Sequence, residues 1–164
     1  MLLTEVYAVG FRSFGPNTPL KLKLWKGVNV LVGENDSGKT AIVDAIRLAL
    51  GSRSEDYFRL TPDDFHVAPE GRVEQLAVRC TFDDLTKEEQ VQFLEWCVLE
   101  SGMVRLHIHL SGRIRSGTRV SWERKSGKEG EGPSVEGALR EYLRATYLRP
   151  NAGHLMARFP RFRA

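Results

Sequence analysis

The first part of the chain carries the arrangement of apolar and polar residues that is typical of β-strands. Residues 2 to 11 and 18 to 24 predict two strands, and a Gly-Pro step between them marks a turn. The valine-rich stretch 27 to 33 is almost uninterrupted in its apolar character, which indicates a buried strand. We therefore expect a sheet that has this third strand near its centre.

A helical pattern follows over residues 38 to 50. Apolar side chains recur there at intervals of three and four, so that one face of the helix is suited to packing against the sheet. The pattern ends at Gly51, which occupies the position of a helix C-cap. The apolar stripe consists of Ala41, Ile42, Ala45, Ile46, Ala49 and Leu50.

The next stretch combines a strand with a longer helix. Residues 73 to 83 alternate between apolar and polar side chains and predict a strand with one apolar face. Thr86 and Glu89 then form a capping box, which marks the beginning of a helix. Apolar positions at helical spacing continue to Val98 and a Ser-Gly step follows, so we expect a helix of about fourteen residues.

A hairpin and a short helix complete the pattern. The alternation over 104 to 110 resumes near Val120 after a turn signal, which predicts two antiparallel strands. Residues 125 to 134 are polar and rich in glycine, and they indicate a flexible loop. A short helix with its apolar side toward the core is expected over 135 to 145.

The stretch between the third strand and the first helix contains the most informative motif in the chain. Residues 33 to 40 read Gly-Glu-Asn-Asp-Ser-Gly-Lys-Thr and match the phosphate-binding loop G-x-x-x-x-G-K-[ST] at every fixed position. Two glycines let the backbone curl until its N–H groups point at the α- and β-phosphates of a nucleotide. The motif therefore predicts a nucleoside triphosphate site.

The other parts of the motif have separate chemical roles. Lys39 would reach the β- and γ-phosphates, and the hydroxyl of Thr40 would bind Mg²⁺ as the only predicted metal ligand. The helix that begins near Gly38 directs the positive end of its dipole at the same phosphates. The predicted cofactor-binding residues of the loop are Gly33, Glu34, Asn35, Asp36, Ser37, Gly38, Lys39 and Thr40.

A phosphate-loop ATPase also needs a strand that ends in an acidic residue, which holds Mg²⁺ and positions the attacking water. Residues 96 to 100 have four apolar residues before an acid. We reject this string because it falls within the helix predicted from Thr86, where Glu100 could not lie beside Thr40. A Leu-Ser-Gly-Gly-Gln type segment and an Asn-Lys-x-Asp string are also missing from the sequence. We therefore expect nucleotide binding without efficient cleavage and assign no catalytic residue.

Two pairs of polar residues are further candidates for chemistry. His107 and His109 lie two apart on a strand and share a face, a spacing that some metal sites use, but no third ligand is near in sequence. We interpret them as two solvent-facing histidines. Asp63 and Asp64 could serve acid–base chemistry, but the preceding Thr-Pro step favours the capped first turn of a short helix.

Composition and charge limit the class of protein. The 164 residues are 41% hydrophobic and 27% charged, which suits one soluble domain without a membrane partner. No secretory signal is evident and the two cysteines are unclustered, so we expect a cytoplasmic protein with reduced thiols. The net charge of +3 equals the three arginines of the segment 151 to 164, which has no acid. Because the rest of the chain is neutral, we expect no direct DNA binding by it.

Several segments together resemble the N-terminal lobe of the SMC/RecF-type, ABC-like ATPases. The first predicted strand ends in Gly-Phe-Arg-Ser-Phe at 10 to 14, and Asp-Ala-Ile-Arg follows the phosphate loop at 44 to 47. Within this group, the chain resembles the OLD (overcoming lysogenisation defect) family of ATP-dependent endonucleases over residues 1 to 150. The segments that favour the OLD family are 60 to 65, 85 to 90 and 143 to 150.

This resemblance implies a function and further site residues. It implies the ATPase part of a DNA-processing, ATP-dependent endonuclease of DNA repair or phage defence, with ATP and Mg²⁺ as cofactors. The full-length protein would act as a homodimer on DNA. By the same resemblance, Arg12 and Ser13 would lie near the base and the phosphates of the nucleotide, and Asp64 or His66 would border the adenine.

The chain departs from the family pattern after residue 150. Family members continue with Leu-Arg-Asp, a dimerisation insert, the acidic strand, the ABC signature and a metal-dependent Toprim nuclease domain, whereas 151 to 164 reads as a basic tail. We therefore expect a lobe over 1 to 150 followed by a disordered or out-of-frame tail, in a truncated or frameshifted product. Hydrolysis and DNA cutting would then belong to the full-length family.

The predicted fold class is α/β, as an incomplete P-loop NTPase lobe of the ABC/SMC-like kind. We expect a mixed sheet with the helix over 38 to 50 on one face and an antiparallel layer from 73 to 83 and 103 to 124. Two alternatives stay open, namely a small stand-alone P-loop nucleotide kinase and a non-functional remnant. The sequence alone leaves open whether this chain is an enzyme.

Overall fold

The computed structural model describes residues 1–51, 59–116, 119–143, 146–148 and 156–158. Within these ranges the strands are β1 Leu2–Val9, β2 Leu20–Lys23, β3 Val67–Ala68, β4 Gly71–Arg72, β5 Gln75–Asp83, β6 Cys97–Glu100, β7 Met103–Ser116, β8 Arg119–Ser126, β9 Thr146–Leu148 and β10 Met156–Arg158. The helices are α1 Lys39–Leu50, α2 Lys87–Gln92 and α3 Gly137–Leu143, and 3₁₀ turns occupy Pro62–Asp64 and Leu94–Trp96.

Six of these strands form the main sheet. Its order is β2, β1, β5, β7, β6, with β8 also beside β7, and all neighbouring strands are antiparallel. β3 with β4 and β9 with β10 form two small antiparallel pairs. The predicted α/β fold class is confirmed, and so is the hairpin, which is formed by β7 and β8.

One face of the main sheet forms the hydrophobic core together with α1. Completely buried side chains line up across the strands, so that Val6 on β1 lies opposite Cys80 on β5, which lies opposite Ile108 on β7. α1 packs over β5 and β7. Because successive side chains of a strand point to opposite faces, the alternation in β5 and β7 fixes which face receives α1.

The first helix is confirmed and is more deeply buried than its apolar stripe implies. Gly51 ends it with φ 81°, and the Gly51 N–H donates to the Arg47 carbonyl at 2.8 Å, as the predicted C-cap requires. Arg124 of β8 donates from Nη2 to the Leu48 carbonyl at 2.7 Å at the same end. Asp44 and Arg47 are buried among the apolar residues, with Arg47 Nη1 3.2 Å from Asp44 Oδ1.

The prediction of a strand over 27 to 33 is wrong, because the structure describes these residues and they belong to no strand. Val28 and Val32 are each 90% exposed, and Val30 is 75% exposed. A strand of this composition is buried where it lies inside a sheet that has both faces covered. No described strand pairs with the stretch, so the described sheet is antiparallel and the parallel part expected around 27 to 33 is missing from it.

The helix predicted from Thr86 is correct in its first half and wrong in its second. The capping box is confirmed, since Thr86 Oγ1 accepts the Glu89 N–H at 3.2 Å and the Glu89 carboxylate accepts the Thr86 N–H at 2.8 Å. α2 ends at Gln92, however, and the next apolar run forms the edge strand β6, with Cys97 opposite Leu106 of β7. A short apolar run fits a buried helix or a strand equally well, and here the pairing with β7 decides.

The predicted flexible loop over 125 to 134 is a defined turn. Its first two residues belong to β8, the Ser126 N–H donates to the Pro133 carbonyl at 2.9 Å, and the Gly127 N–H donates to the His107 carbonyl at 3.2 Å. The loop therefore lies against the sheet.

α3 begins two residues later than the helix predicted over 135 to 145, and the last two residues of that prediction lie outside the described residues. β10 falls inside the predicted tail, and the division into a lobe and a tail stays a prediction. Among the described residues, no helix combines the length and the apolar character that a membrane crossing demands.

Glu89 joins three parts of the fold at one buried carboxylate. It is 6% exposed and accepts hydrogen bonds from the α-amino group of Met1 at 2.7 Å and from the Tyr142 hydroxyl of α3 at 2.7 Å, in addition to the Thr86 contact. Burial alone would raise the pKa of Glu89, but these donors outweigh it and hold the pKa below its ordinary value. The beginning of β1, α2 and α3 therefore meet at a charged group.

The lowered pKa of Glu89 predicts a specific loss of stability in acid. A carboxylate whose folded pKa lies below its unfolded value, about 4.3, stabilises the fold above that value and loses this contribution as the pH falls through the folded pKa. Glu89→Gln should lower the free energy of unfolding at neutral pH and flatten its decline between about pH 5 and pH 3. Urea unfolding measures both effects, and an equal flattening in the exposed control Glu95→Gln would contradict the assignment.

Candidate phosphate-binding site

Residues with positive φ turn the loop between the exposed stretch and α1. Asp36 has φ 64° and Gly38 has φ 86°, and Gly38 is also the N-cap of α1 without a side-chain cap. The first-turn N–H groups of such a helix have no intrahelical acceptor and point out of its end. A Cβ on Gly33 would lie 2.8 Å from the Ser37 hydroxyl, and one on Gly38 would lie 2.9 Å from the Ser13 hydroxyl. A Cβ on either glycine would therefore displace the neighbouring serine hydroxyl, and at Gly38 the positive φ would add backbone strain.

Lys39 folds back over the loop. Its Nζ donates to the Gly33 carbonyl at 2.8 Å, to the Glu34 carbonyl and to Ser37 Oγ at 3.2 Å. These acceptors are uncharged, and an ammonium group forms stronger hydrogen bonds with phosphate oxygens. The contacts place the positive charge of Lys39 over the concave side of the loop.

The loop fits a polyphosphate. It combines helix N-terminal amides, an ammonium group and tight glycine turns, which together favour a chain of negatively charged oxygens. Residues 33 to 37 and Thr40 are exposed, so a ligand can reach them, and the hydroxyl of Thr40 is an oxygen donor of the kind that Mg²⁺ prefers. The predicted residues of the motif therefore lie together in the accessible loop and in the first two residues of α1, and their contact with a nucleotide stays a prediction.

Arg12 and Ser13 are the two central residues of a tight turn after β1. The Phe11 N–H donates to the Phe14 carbonyl at 3.1 Å, and the Phe14 N–H donates to the Phe11 carbonyl at 2.8 Å. Arg12 has φ 45°, which is uncommon for a residue other than glycine and persists only where the surroundings hold it. The Ser13 hydroxyl and the Phe14 ring are the nearest atoms to a Cβ placed on Gly38. The turn therefore lies directly against the phosphate loop.

Two aspartates hold the side chain of Arg12. Its Nη1 is 2.5 Å from Asp44 Oδ2, and its Nε and Nη2 are 3.0 Å and 2.9 Å from Asp64 Oδ1. Both carboxylates are buried, at 7% exposure for Asp44 and 5% for Asp64. Burial alone would lower the pKa of Arg12, but the hydrogen bonds with Asp44 and Asp64 raise it above the ordinary value. A fixed positive charge therefore joins the turn to α1 and to the segment 61 to 66.

The segment 61 to 66 confirms the capped turn predicted there. Pro62–Asp64 is a 3₁₀ turn with a capping box between Thr61 and Asp64. The Nδ1–H of His66 donates to the Arg12 carbonyl at 2.6 Å, whereas Asp63 is exposed and pairs with Arg72 at 3.2 Å. The two aspartates therefore do not form an acid–base pair, because one is buried on Arg12 and the other is in solvent. A contact of Asp64 or His66 with adenine stays a prediction.

The face of the sheet opposite α1 carries the two candidate histidines. The interpretation of His107 as solvent-facing is wrong, since it is 3% exposed and its Nδ1 shares a hydrogen bond with Thr81 Oγ1 at 3.0 Å. Burial lowers the pKa of His107, and the nearby carboxylate of Glu100 opposes only part of the shift. His109 is half-buried, with its Nδ1 3.2 Å from the Lys128 carbonyl. No group of three potential metal ligands occurs among the described residues.

Glu100 lies on this same opposite face, at the end of β6. The helix predicted from Thr86 ends at Gln92 and does not include Glu100, so the reason given for rejecting Glu100 is wrong. Its carboxylate instead contacts Arg105 Nη1 at 3.1 Å, and Glu100 Oε1 is 3.3 Å from His107 Nε2 without hydrogen-bond geometry. Because α1 packs on the other face of the sheet, Glu100 is again excluded as the acid that holds Mg²⁺.

Asp44 is the residue of this region that the sequence analysis did not identify as part of the site. Asp44 was named only as the first residue of the Asp-Ala-Ile-Arg segment that supports the family resemblance. The signal was an acid and a base three residues apart, Asp44 and Arg47, inside an otherwise apolar helix. A charged pair at such a position requires further polar partners when the helix is buried, and Arg12 is that partner.

Comparisons with known proteins identify the family. A family model described as an AAA domain matches residues 5–143, and the chain belongs to this AAA domain family. Among curated proteins, the Chromosome partition protein Smc of Desulfitobacterium hafniense (strain Y51) is 41% identical over 59 residues, which cover 36% of this chain and 5% of that protein. The Uncharacterized protein YbjD of Escherichia coli (strain K12) is 39% identical over 85 residues, which cover 50% of this chain and 14% of that protein.

A solved structure shares the fold. It is described as structural biochemistry of ATP-driven dimerization and DNA stimulated activation of SMC ATPases, and it aligns with 87% of this chain and 75% of its own chain at a TM-score of 0.51 and 20% identity. The chain spans 14% or less of the length of the curated relatives named above. The AAA domain family and the SMC-like fold agree with the predicted lobe, whereas its ATPase activity and its membership of the OLD family stay predictions.

The packing of the turn on the loop predicts the effect of a single methyl group. Gly38→Ala should destabilise the protein by about 1–3 kcal/mol, because it adds a strained backbone and a close contact with Ser13. Adding Ser13→Ala should recover part of the loss, because it removes the hydroxyl that the new Cβ would meet.

The control is Gly27→Ala, which has φ 105° but no atom within 4 Å of the added Cβ and so reports backbone strain alone. Chemical unfolding compares the four proteins. If Ser13→Ala restores nothing to Gly38→Ala, the contact between the turn and the loop is contradicted.

Proposed function

We propose that this chain binds Mg·ATP through residues 33 to 40 and serves as the N-terminal ATPase part of a larger DNA-processing ATPase. The observation that carries the proposal is the geometry of the loop. A left-handed Gly38 begins a buried helix, and the ammonium group of Lys39 lies over the loop in front of it. Membership of the AAA domain family and the SMC-like fold support nucleotide binding as the general activity.

Each residue of the loop has a role in this proposal. The backbone from Gly33 to Gly38 supplies N–H donors to the phosphates, and Lys39 exchanges its carbonyl partners for β- and γ-phosphate oxygens. Thr40 supplies an oxygen to Mg²⁺, which neutralises phosphate charge when it is bound. Arg12 and Ser13 border the nucleotide from the turn after β1. Hydrolysis and DNA cutting would depend on groups from other parts of a full-length protein.

We extend the proposal to an OLD-like or RecF-like ATP-dependent endonuclease that acts as a homodimer on DNA. The short matches to Smc and to YbjD support a longer protein of this general class. The exposed stripe of Val28, Val30 and Val32 also supports it, because further strands beside this stretch would bury these side chains. The related SMC ATPase study concerns ATP-driven dimerization and DNA stimulated activation, and we propose the same kinds of partner here.

Replacement of the loop lysine tests the nucleotide site. Lys39→Ala should weaken Mg·ATP binding by roughly 1.5–3 kcal/mol, because it removes a charge-assisted hydrogen bond to phosphate. Isothermal titration calorimetry measures the effect, with the exposed Lys21→Ala on β2 as a control for the loss of one positive charge. Equal affinity of Lys39→Ala and the wild-type chain would refute the site.

Direct binding of nucleic acid is a second candidate function, and one observation favours it. The β7–β8 hairpin presents Arg113, Arg115 and Arg119, all exposed, and none of them has a carboxylate within ion-pair distance among the described residues. Two of the nearby acids are already paired, Glu123 with Lys125 at 3.0 Å and Glu129 with Arg79 at 3.5 Å. Unpaired arginines on one hairpin favour a phosphate backbone. The overall charge balance did not predict this arrangement.

Reversal of the hairpin charges tests this candidate. Arg113→Glu with Arg115→Glu should weaken binding of a short duplex DNA and reduce the slope of log affinity against log salt by roughly 2, because two phosphate contacts are lost. Fluorescence anisotropy at several salt concentrations measures both. Lys21→Glu with Lys23→Glu on β2 is the matched control, and an equal loss in the two double variants would contradict a hairpin-specific surface.

A further inference from the structure

Asp64 is 52 residues from Arg12 in sequence and meets it at three polar contacts. Its backbone carbonyl accepts the Arg12 N–H at 2.8 Å, and its Oδ1 accepts a hydrogen bond from Nε of the guanidinium at 3.0 Å and lies 2.9 Å from Nη2 in an ion pair. Its other oxygen, Oδ2, accepts the Thr61 N–H at 2.9 Å and the Thr61 hydroxyl at 3.1 Å. The carboxylate is therefore saturated by Arg12 and by its own capped turn, and it is held rigidly.

The backbone of Arg12 is held by the same segment on both sides. The His66 Nδ1–H donates to the Arg12 carbonyl at 2.6 Å, so the backbone N–H and C=O of Arg12 are both bound, to residues 64 and 66. A residue other than glycine with φ 45° needs such fixed surroundings. The conformation of the turn therefore depends on the segment 61 to 66.

The Arg12–Ser13 turn contacts the beginning of α1 at two points. Ser13 lies against Gly38, the N-cap of α1, and the Arg12 guanidinium is bound to Asp44 in the next turn of the same helix. A shift of Arg12 would therefore move Ser13 relative to the residue that directs the first N–H groups of α1. The phosphate loop and Asp64 are linked through one arginine.

We propose that Asp64 is a positioning residue for the phosphates: through Arg12 it fixes the Arg12–Ser13 turn against Gly38 and so sets the shape of the phosphate-binding loop. This inference rests on the proposed nucleotide site and gives Asp64 a different task from the adenine contact that the family resemblance implies. Asp64 touches no phosphate in this role. Its effect is on the part of the site that binds the triphosphate chain, independent of the base.

Inorganic tripolyphosphate, which has no base, separates the two roles. Asp64→Asn keeps the size of the side chain and loses its charge, and it should weaken binding of both Mg·ATP and Mg·tripolyphosphate by roughly ten- to a hundredfold, because the charge-assisted grip on Arg12 is lost. Calorimetry well below the melting temperature measures the affinities. Asp63→Asn is the matched control, since Asp63 is the adjacent aspartate and its side chain is 89% exposed.

Each outcome decides the inference. A comparable loss for both ligands in Asp64→Asn, with wild-type affinities in Asp63→Asn, supports it, whereas a loss for Mg·ATP alone would show a base contact and overturn it. Wild-type affinity for tripolyphosphate together with a lowered melting temperature would show a purely structural role and also overturn it. If Asp64→Asn does not fold, Asp64→Glu replaces it, because the longer side chain cannot keep the contacts with both Arg12 and Thr61 while Arg12 itself is unchanged, and the same outcomes apply.

A non-additive double-mutant cycle between Asp64→Asn and Ser13→Ala would further support the route through the turn, and strict additivity would contradict it. Failure of the proposed nucleotide site would give a different result from failure of the proposed role of Asp64. In that case the wild-type chain binds neither ligand, or Lys39→Ala binds as well as wild type, whereas failure of this inference alone leaves the Lys39 effect in place.

Discussion

Burial of α1 against one face of the antiparallel sheet is the interaction on which the rest of the structure depends. The rows of apolar side chains across β1, β5 and β7 provide a surface that α1 covers, and α1 is buried around almost all of its circumference. Once α1 lies there, its N-terminus and the loop before it are fixed at the edge of this surface. The N–H groups of the first turn then point away from the core into solvent, where a charged ligand can approach.

Polar contacts fix the position of α1 along its axis, which apolar burial alone does not specify. A helix held only by apolar contacts can shift along its axis at small cost, because dispersion forces have little directionality. Here Arg124 donates a hydrogen bond to a carbonyl at the C-terminal end of α1, and Arg12 donates one to Asp44 near the beginning of α1. These contacts have defined donors and acceptors, and losing one partner of a buried charge is costly. The position of the phosphate loop is therefore set by charged side chains as well as by the core.

Local features of the fold could be predicted from the sequence, and features that depend on distant partners could not. The spacing in α1, the C-cap at Gly51 and the capping box at Thr86 are local and were correct. The apolar run that begins at Cys97 fits the spacing of a helix and that of a strand, and only the pairing of Cys97 with Leu106 of β7 makes it a strand. The burial of His107 depends on contacts with other strands and with the loop after Ser126, and Val30 is exposed because no strand among the described residues pairs with its stretch. In the site, the motif was readable, but the partners of Arg12 come from residues remote in sequence.

Hydrogen–deuterium exchange with and without Mg·ATP tests the central claim most directly, because it reports on the amide groups that are claimed to bind phosphate. The account predicts slower exchange in peptides that cover residues 33 to 42, no change in β7 and β8, and no slowing in the Lys39→Ala variant. Unchanged exchange across the loop at saturating nucleotide, or protection that persists in Lys39→Ala, would contradict it.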